Sequence, residues 1–302
     1  MSRITFIFFL LALGTSAQEK ETDLNFRKQI EAYNTSFSTF FMEGNIDNFS
    51  KLYTEQTIFM PEHSQERIGK KNIVDFYKQW LSEVKIVAFK KTIYELQNLG
   101  NYILEIGNFK EDFAKKDHKI YSYSGKYMIL WKLAKKGKPM TIAAEIWGSD
   151  SYIDDKEFPE INDANIPNTK EYSDSDKLTV EIKERNQNIR KLVQERNGAE
   201  HAKMFMSDAI YLTYYTPMLS GIKDITDYFV DHEKPGTLKI ESISIKTSAI
   251  IKTEKAVVEF GFYSVDWRDG ENNGNVKGKS INVWKRNQDN QLLLFRQMVN
   301  HD

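Results

Sequence analysis

The chain has 302 residues, no cysteine and a formal net charge of -1. At this length two domains are the expectation, and 40% hydrophobic with 13% aromatic residues supplies core material that excludes disorder throughout. The balanced charge offers no basic face for nucleic acid or an anionic membrane, and the absence of cysteine excludes disulfides, thiolate nucleophiles and zinc–thiolate centres. The five histidines (His63, His118, His201, His232 and His301) form neither an HxH nor an HExxH pair, so neither a metal nor a cofactor is expected.

In chain order, Arg3, the apolar run Ile4 to Leu13 and the small residues Gly14-Thr15-Ser16-Ala17 read as a signal peptide cleaved after Ala17, giving a periplasmic or extracellular protein. The alternative is an uncleaved anchor, although the run is shorter than the roughly 20 apolar residues a bilayer span needs. Phe26, Ile30, Tyr33, Phe37, Phe40 and Phe41 recur mostly three and four apart and predict an amphipathic helix. After Gly44-Asn45 a short second helix runs through Phe49, Leu52 and Tyr53. An extended piece from Thr57 to Pro61 follows, then a third helix carrying Ile73, Phe76, Tyr77 and Trp80. Four long strands are predicted next, Val84 to Leu96, Asn101 to Phe113, Lys119 to Lys132 and Pro139 to Ser149, with turns at Asn98-Leu99-Gly100 and Lys135 to Lys138. Helices followed by a meander of strands define an α+β unit. From 154 to 176 the periodicity stops amid Asp, Glu, Pro159 and Pro167. This reads as a flexible acidic linker, the alternative being an ordered strap that buries Phe158, Ile161 and Ile166.

The pattern then repeats. Tyr53 to Met60 and Gly69 to Tyr77 are answered, at the same internal spacing, by Phe205 to Leu212 and Gly221 to Phe229. Glu105-Ile106-Gly107 is answered by Glu259-Phe260-Gly261, and Gly125-Lys126 through Trp131-Lys132 by Gly278-Lys279 through Trp284-Lys285. Gly69 and Gly221 suit positive φ at a helix entry, and Gly107 and Gly261 suit strand bulges. The domains are therefore set at 22–153 and 177–302.

The first helix, Gly44-Asn45, Leu52-Tyr53…Thr57-Ile58, Gly69…Phe76-Tyr77 and Gly125-Lys126-Tyr127…Trp131 together resemble the SnoaL-like, or nuclear transport factor 2-like, group, which includes ketosteroid isomerases, scytalone dehydratases and polyketide cyclases. The resemblance covers about 22–153 and again 177–302. It implies two cone-shaped units, each a curved antiparallel sheet wrapped around a long N-terminal helix, with an apolar pocket at the open end. It specifies fold better than chemistry. Of the isomerase residues it would carry over, the general-base aspartate falls on Met60 and Leu212, the oxyanion-hole acid on Tyr127 and Ser280, and the helix tyrosine on Phe37. Steroid isomerase chemistry is therefore disfavoured.

Alternation places Ala143, Glu145 and Trp147 on one face, beside Tyr127, Ile129 and Trp131. Glu145 is either an acid or base, or a structural acceptor for a partner such as Tyr127. Trp131 and Trp284 read as core, and Glu105 and Glu259 as solvated or paired at the sheet face. The candidate ligand-binding set is Phe37, Met60, His63, Tyr127, Trp131, Glu145 and Trp147, in the first domain. Gln297, Val299, Ser280 and Asn282 replace its counterparts in the second. The leading expectation is an exported protein that binds a small apolar molecule with little or no catalysis, its two units packed as an intramolecular pseudo-dimer. The alternatives are an isomerase, dehydratase or cyclase using Glu145 and Tyr127, and a structural interaction domain.

Overall fold

The computed structural model describes residues 24–133, 140–164, 166–167 and 169–302. The expected signal peptide and the expected turn at Lys135 to Lys138 lie outside these residues. The chain builds one unit twice. The first consists of helix α1 (24–42), the short helix α2 (Ile46–Phe49), strands β1 (Tyr53–Met60) and β2 (Arg67–Ile68), helix α3 (Lys70–Glu83), and strands β3 (Val84–Asn98), β4 (Tyr102–Lys115), β5 (Ile120–Lys132) and β6 (Thr141–Ser149). The second repeats it with α4 (Lys177–Gln194), α5 (Gly198–Ala202), β7 (Phe205–Leu212), β8 (Leu219–Ser220), α6 (Ile222–His232), β9 (Leu238–Lys252), β10 (Val257–Asp269), β11 (Asn272–Arg286) and β12 (Leu292–His301).

Each unit has a six-stranded sheet, in the orders β2-β1-β6-β5-β4-β3 and β8-β7-β12-β11-β10-β9. The expectation of a purely antiparallel sheet is corrected at one place in each: β1 pairs with β6, and β7 with β12, in parallel. Parallel neighbours need a long crossover, here supplied by the third helix and the meander that follows it. The glycines act as their positions require. Gly69 and Gly221 cap α3 and α6 at φ 90° and 88°, a region that other L-residues enter only under strain. Gly107 lies under Tyr127, whose hydroxyl would meet an added Cβ at 2.5 Å.

The amphipathic stripe of α1 turns Ile30, Asn34, Phe37 and Phe41 into the hollow of the first sheet. The opposite face of that sheet is just as apolar. Met60, Leu104, Ile106, Met128, Leu130 and Ile146 pack against Leu212, Val258, Phe260, Ile281, Val283 and Met298 of the second sheet in one buried cluster. Polar contacts across this seam are reciprocal. Lys126 Nζ donates to Thr216 O at 2.6 Å, and Lys279 Nζ donates to Ser64 O at 2.8 Å. Both lysines are buried, with Asp150 and Asp302 beside them. Arg296 adds a contact without a repeat equivalent, gripping both carboxylate oxygens of Glu95.

The reading of 154–176 as flexible is corrected. Phe158 is buried against Trp80, Tyr123 and the His63 ring, Ile161 packs on the first core, and Lys115 Nζ donates to the carbonyls of Lys156 and Phe158. Asp163 pairs with buried Arg67 and accepts from Ser64 Oγ and Gln65 N. Farther on, Thr169 donates to Glu66 and Tyr172 N to Thr247 O of the second unit. The segment is thus a strap, because one aromatic anchor and one buried ion pair offset the entropy of ordering it. Phe158→Ala is expected to lower stability by about 3 kcal/mol, as for other large-to-small core changes. It should also open the strap to limited proteolysis, measured beside urea unfolding, and an unchanged digestion pattern would contradict this account.

Candidate functional site

The two cones are polar at the same depth and different in volume. In the first, Glu105 on β4 is wholly buried and accepts from Asn34 Nδ2 at 2.7 Å, Tyr127 OH at 2.6 Å and Trp131 Nε1 at 2.8 Å. Burial pushes its carboxyl up, against the lowering effect of these donors and of Lys91. In the second, Glu259 accepts from Asn186, Thr247, Asn282 and Trp284. The expectation that these glutamates lie at a solvated face is corrected. Each is the polar pin that fixes the long helix to the sheet, and a buried carboxylate survives there because its lone pairs are filled. Trp131 and Trp284 are buried core, the reading the sequence favoured for both, and Trp131, also placed in the candidate ligand-binding set, does not line the first cavity.

Of the first-domain candidates, Phe37, Tyr127, Glu145 and Trp147 line one cavity. Glu145 points inward, but its partners are Tyr53 OH at 2.6 Å and Lys91 Nζ at 2.8 Å. The Lys91 ammonium also sits 4.6 Å from the Phe37 ring centroid and 4.9 Å from that of Tyr127. Tyr127 gives its hydroxyl to Glu105, and burial, with Glu105 next, raises its pKa well above the ordinary range. The expected pairing of Glu145 with Tyr127 is thereby corrected: Glu145 accepts from Tyr53 and Lys91, and Tyr127 donates to Glu105. Ala143 is corrected as well. A register shift at Leu130/Trp131 pairs Trp131 with Ile142, so Ile142 takes the inner face and Ala143 packs on the outer cluster. Met60 likewise belongs to the seam between the sheets, while Phe59 points inward. His63, at φ 58°, lies under the strap against Phe158 and is not at an open rim.

The first cavity holds only about 40 Å³. The cause is aromatic filling: Trp147 packs on Phe59 and Phe76, and Phe37 on Phe41, Phe49, Tyr77 and Phe89. In the second cone the same positions are small. Strand register sets Val299 against Ser280 where Trp147 faces Tyr127, and Gln297 against Asn282 where Glu145 faces Ile129. The matching helix position to Phe37 is Ile189, three residues beyond the asparagine that reaches the buried glutamate in each unit. Of these positions Val299 borders a cavity of about 560 Å³ walled also by Tyr211, Tyr228, Tyr263, Trp267, Ile240, Ile243 and Val265, with His201, His232 and Glu233 among its polar groups. A smaller space of about 110 Å³ adjoins Ser280, Asn282 and Gln297. By volume the second cone is the roomier of the two, whereas the sequence reading placed the pocket mainly in the first domain. Sequence reasoning missed Lys91 and Glu111 in the first cone, and His201, Glu233 and the tyrosines in the second. The available signal was the loss of bulk at matched positions.

No cluster of three or more His, Asp or Glu able to hold a metal occurs among the described residues, and no described helix is long and apolar enough to cross a membrane.

Residues 30–122 match the family model described as a SnoaL-like domain, and with the fold above the first unit is a SnoaL-like (nuclear transport factor 2-like) domain. Solved structures similar to the chain include a Catenulispora Acidiphila protein in complex with S-DNPA, at 18% identity over 41% of this chain and 93% of that one, with a TM-score of 0.38. ActVI-ORFA from Streptomyces Coelicolor has 18% identity over 41% and 97%, with a TM-score of 0.37. A ketosteroid isomerase-like protein from Erwinia carotovora atroseptica has 17% identity over 41% and 95%, with a TM-score of 0.37. No curated protein matches the sequence.

Glu111, in the wall of the first cavity, provides a pH test. Burial pushes its carboxyl up to about 8, against the lowering effect of Trp80 Nε1, which donates to it. The folded state keeps a proton that the unfolded chain releases near 4.5, so this group's stability is complete below 4.5 and is lost as pH rises to about 8. Glu111→Gln is expected to gain on the wild type by roughly 1.4 kcal/mol per pH unit across that window. Urea unfolding of both proteins at several pH values measures it, and parallel profiles would contradict the assignment.

Proposed function

We propose that this chain, whose first unit is a SnoaL-like domain and whose second repeats the fold, is an exported protein that binds a small, largely apolar molecule in the second cone. The observation that carries the reading is the cavity of about 560 Å³, in the range of small-molecule sites and lined by aromatic and aliphatic side chains with a few polar groups. The first cone, filled by Trp147 and Phe37 and crossed by the strap, serves as the rigid half on which the second is mounted. Export is supported by the N-terminal Ile4 to Ala17 sequence. The reciprocal Lys126 and Lys279 contacts support an intramolecular pseudo-dimer, since a two-fold interface repeats each contact with the roles of the halves exchanged.

A thermal-shift screen of the mature protein against sterols, polyketides, quinones and fatty acids tests the reading. A ligand bound only by the folded state adds about 2.7 kcal/mol at a hundredfold excess over its dissociation constant. Val299→Trp, which gives the second cone the side chain that fills the first, is expected to abolish the shift produced by any hit. Trp147→Phe is expected to leave it. A hit retained by Val299→Trp and lost in Trp147→Phe would return the site to the first cone.

A further inference from the structure

The second cone carries a side-chain pair that the first lacks. His201, on α5, and Glu233, at the C-terminal cap of α6, approach at 2.7 Å between Nδ1 and Oε1, and both are buried. Counting from the shared caps Asn45 and Asn197, and from Gly69 and Gly221, the first unit has Phe49 and Leu81 at these positions. The pair is held from behind. Arg196 donates to the carbonyls of His232 and Lys234 on either side of Glu233, and the His201 ring lies 4.0 Å from that of Phe229. The other carboxylate oxygen, Glu233 Oε2, is buried with no hydrogen-bond partner among the described residues.

A carboxylate oxygen can only accept, so Glu233 fixes the proton of the neutral imidazole on Nδ1 and leaves Nε2 with its lone pair. His201 lines both the large cavity and the smaller space beside it. An acceptor held in an apolar chamber selects a donor and rejects a ligand that offers only another acceptor.

We propose that the second cone recognises an aromatic or enolic hydroxyl through His201 Nε2, with Glu233 as the residue that positions the ring. This deepens the pocket reading above and rests on it. The hydroxyl first donates a hydrogen bond. In the proton-transfer step its O–H bond breaks, the proton passes to Nε2, and the electron pair stays on the oxygen as phenolate or enolate. The imidazolium so formed is paired with the Glu233 carboxylate, which itself takes no proton. The charged and titratable groups around this site are Glu233 and His232 from the end of α6, Arg196 before α5, Tyr211 on β7, Tyr214 in the following loop, Tyr228 on α6, Tyr263 on β10 and His301 on β12. Burial, with Arg196 and His201 adding to it, lowers the pKa of His232 against the opposing pull of Glu233.

The test uses the full chain with 4-nitrophenol and its methyl ether, 4-nitroanisole, which has the same ring and no hydroxyl proton. Calorimetry is expected to give at least about tenfold tighter binding of the phenol, or roughly 1.4 kcal/mol. The visible phenolate absorbance of the bound probe should titrate at lower pH than that of the free probe. His201→Asn can keep a donor toward Glu233 while removing Nε2, and should bring the two affinities within about twofold and erase the absorbance shift. Glu233→Gln, which frees the tautomer, should reduce both effects while circular dichroism reports an intact fold. Equal binding of phenol and ether by the wild type overturns the His201 assignment and leaves the pocket standing. Binding of neither, or binding that survives Val299→Trp, overturns the pocket reading itself. A phenol preference retained in His201→Asn assigns recognition to another group and overturns the proposal.

Discussion

The rest of the structure depends on a sheet that is apolar on both faces. A curved sheet with its concave side over a helix can expose polar residues on its back. Here the back carries Met60, Leu104, Ile106, Met128, Leu130 and Ile146, and none of these meets water. Burying such side chains stabilises by about 25 cal/mol per Å² removed from water. Exposing the whole face would create a patch of the kind that associates with other molecules. The second copy in the same chain covers it at a high local concentration set by the connecting segment. Buried Lys126 and Lys279, each donating to a carbonyl of the other unit, fix the register of the two sheets. The strap then binds to both units, through Asp163 on Arg67 and Tyr172 on Thr247.

With the two units locked back to back, their hollows face away from each other and can diverge. The polar pin at the base of each is kept: one buried glutamate, one asparagine from the long helix and one tryptophan indole. Above the pin the contents differ. The first hollow is narrowed by rings and by the buried Lys91–Glu145 pair to about 40 Å³. In the second, Val299 stands where Trp147 does and borders the large cavity, and Ser280 stands where Tyr127 does and borders the smaller one. The same fold thus encloses a small cavity in one unit and a large one in the other.

Much of this was legible in the sequence. The repeated glycines, the apolar stripe of α1 and the four long strands gave the α+β unit and its duplication, because periodicity and special backbone positions are local signals. Inward-facing Glu145 and Trp147 followed from strand alternation. The parallel β1–β6 pairing, the shift at Ala143 and the seam position of Met60 did not, since each depends on register between distant segments. The site is read from residue type: strand alternation brings Tyr127, Glu145 and Trp147 to one cavity, but how much space the rings leave depends on packing that no local pattern carries. His201 and Glu233 lie apart in the sequence and meet only because α5 and α6 pack together, so no motif spacing announces them. Glu105 and Glu259 could have been found: a charged residue recurring in both copies inside an apolar strand, with a tryptophan and an asparagine recurring beside it, signals a buried partner set.

The central claim is that the two hollows are unequal and that the second receives the ligand. Methyl-selective NMR of the full chain, with isoleucine and valine methyls labelled, tests this most directly as 4-nitrophenol is added. The account predicts shifts at Ile240, Ile243, Val265 and Val299, the aliphatic wall of the second cavity, while Ile129 and Ile142 of the first core stay fixed. Shifts concentrated at Ile129 and Ile142, with the second set unmoved, would contradict it.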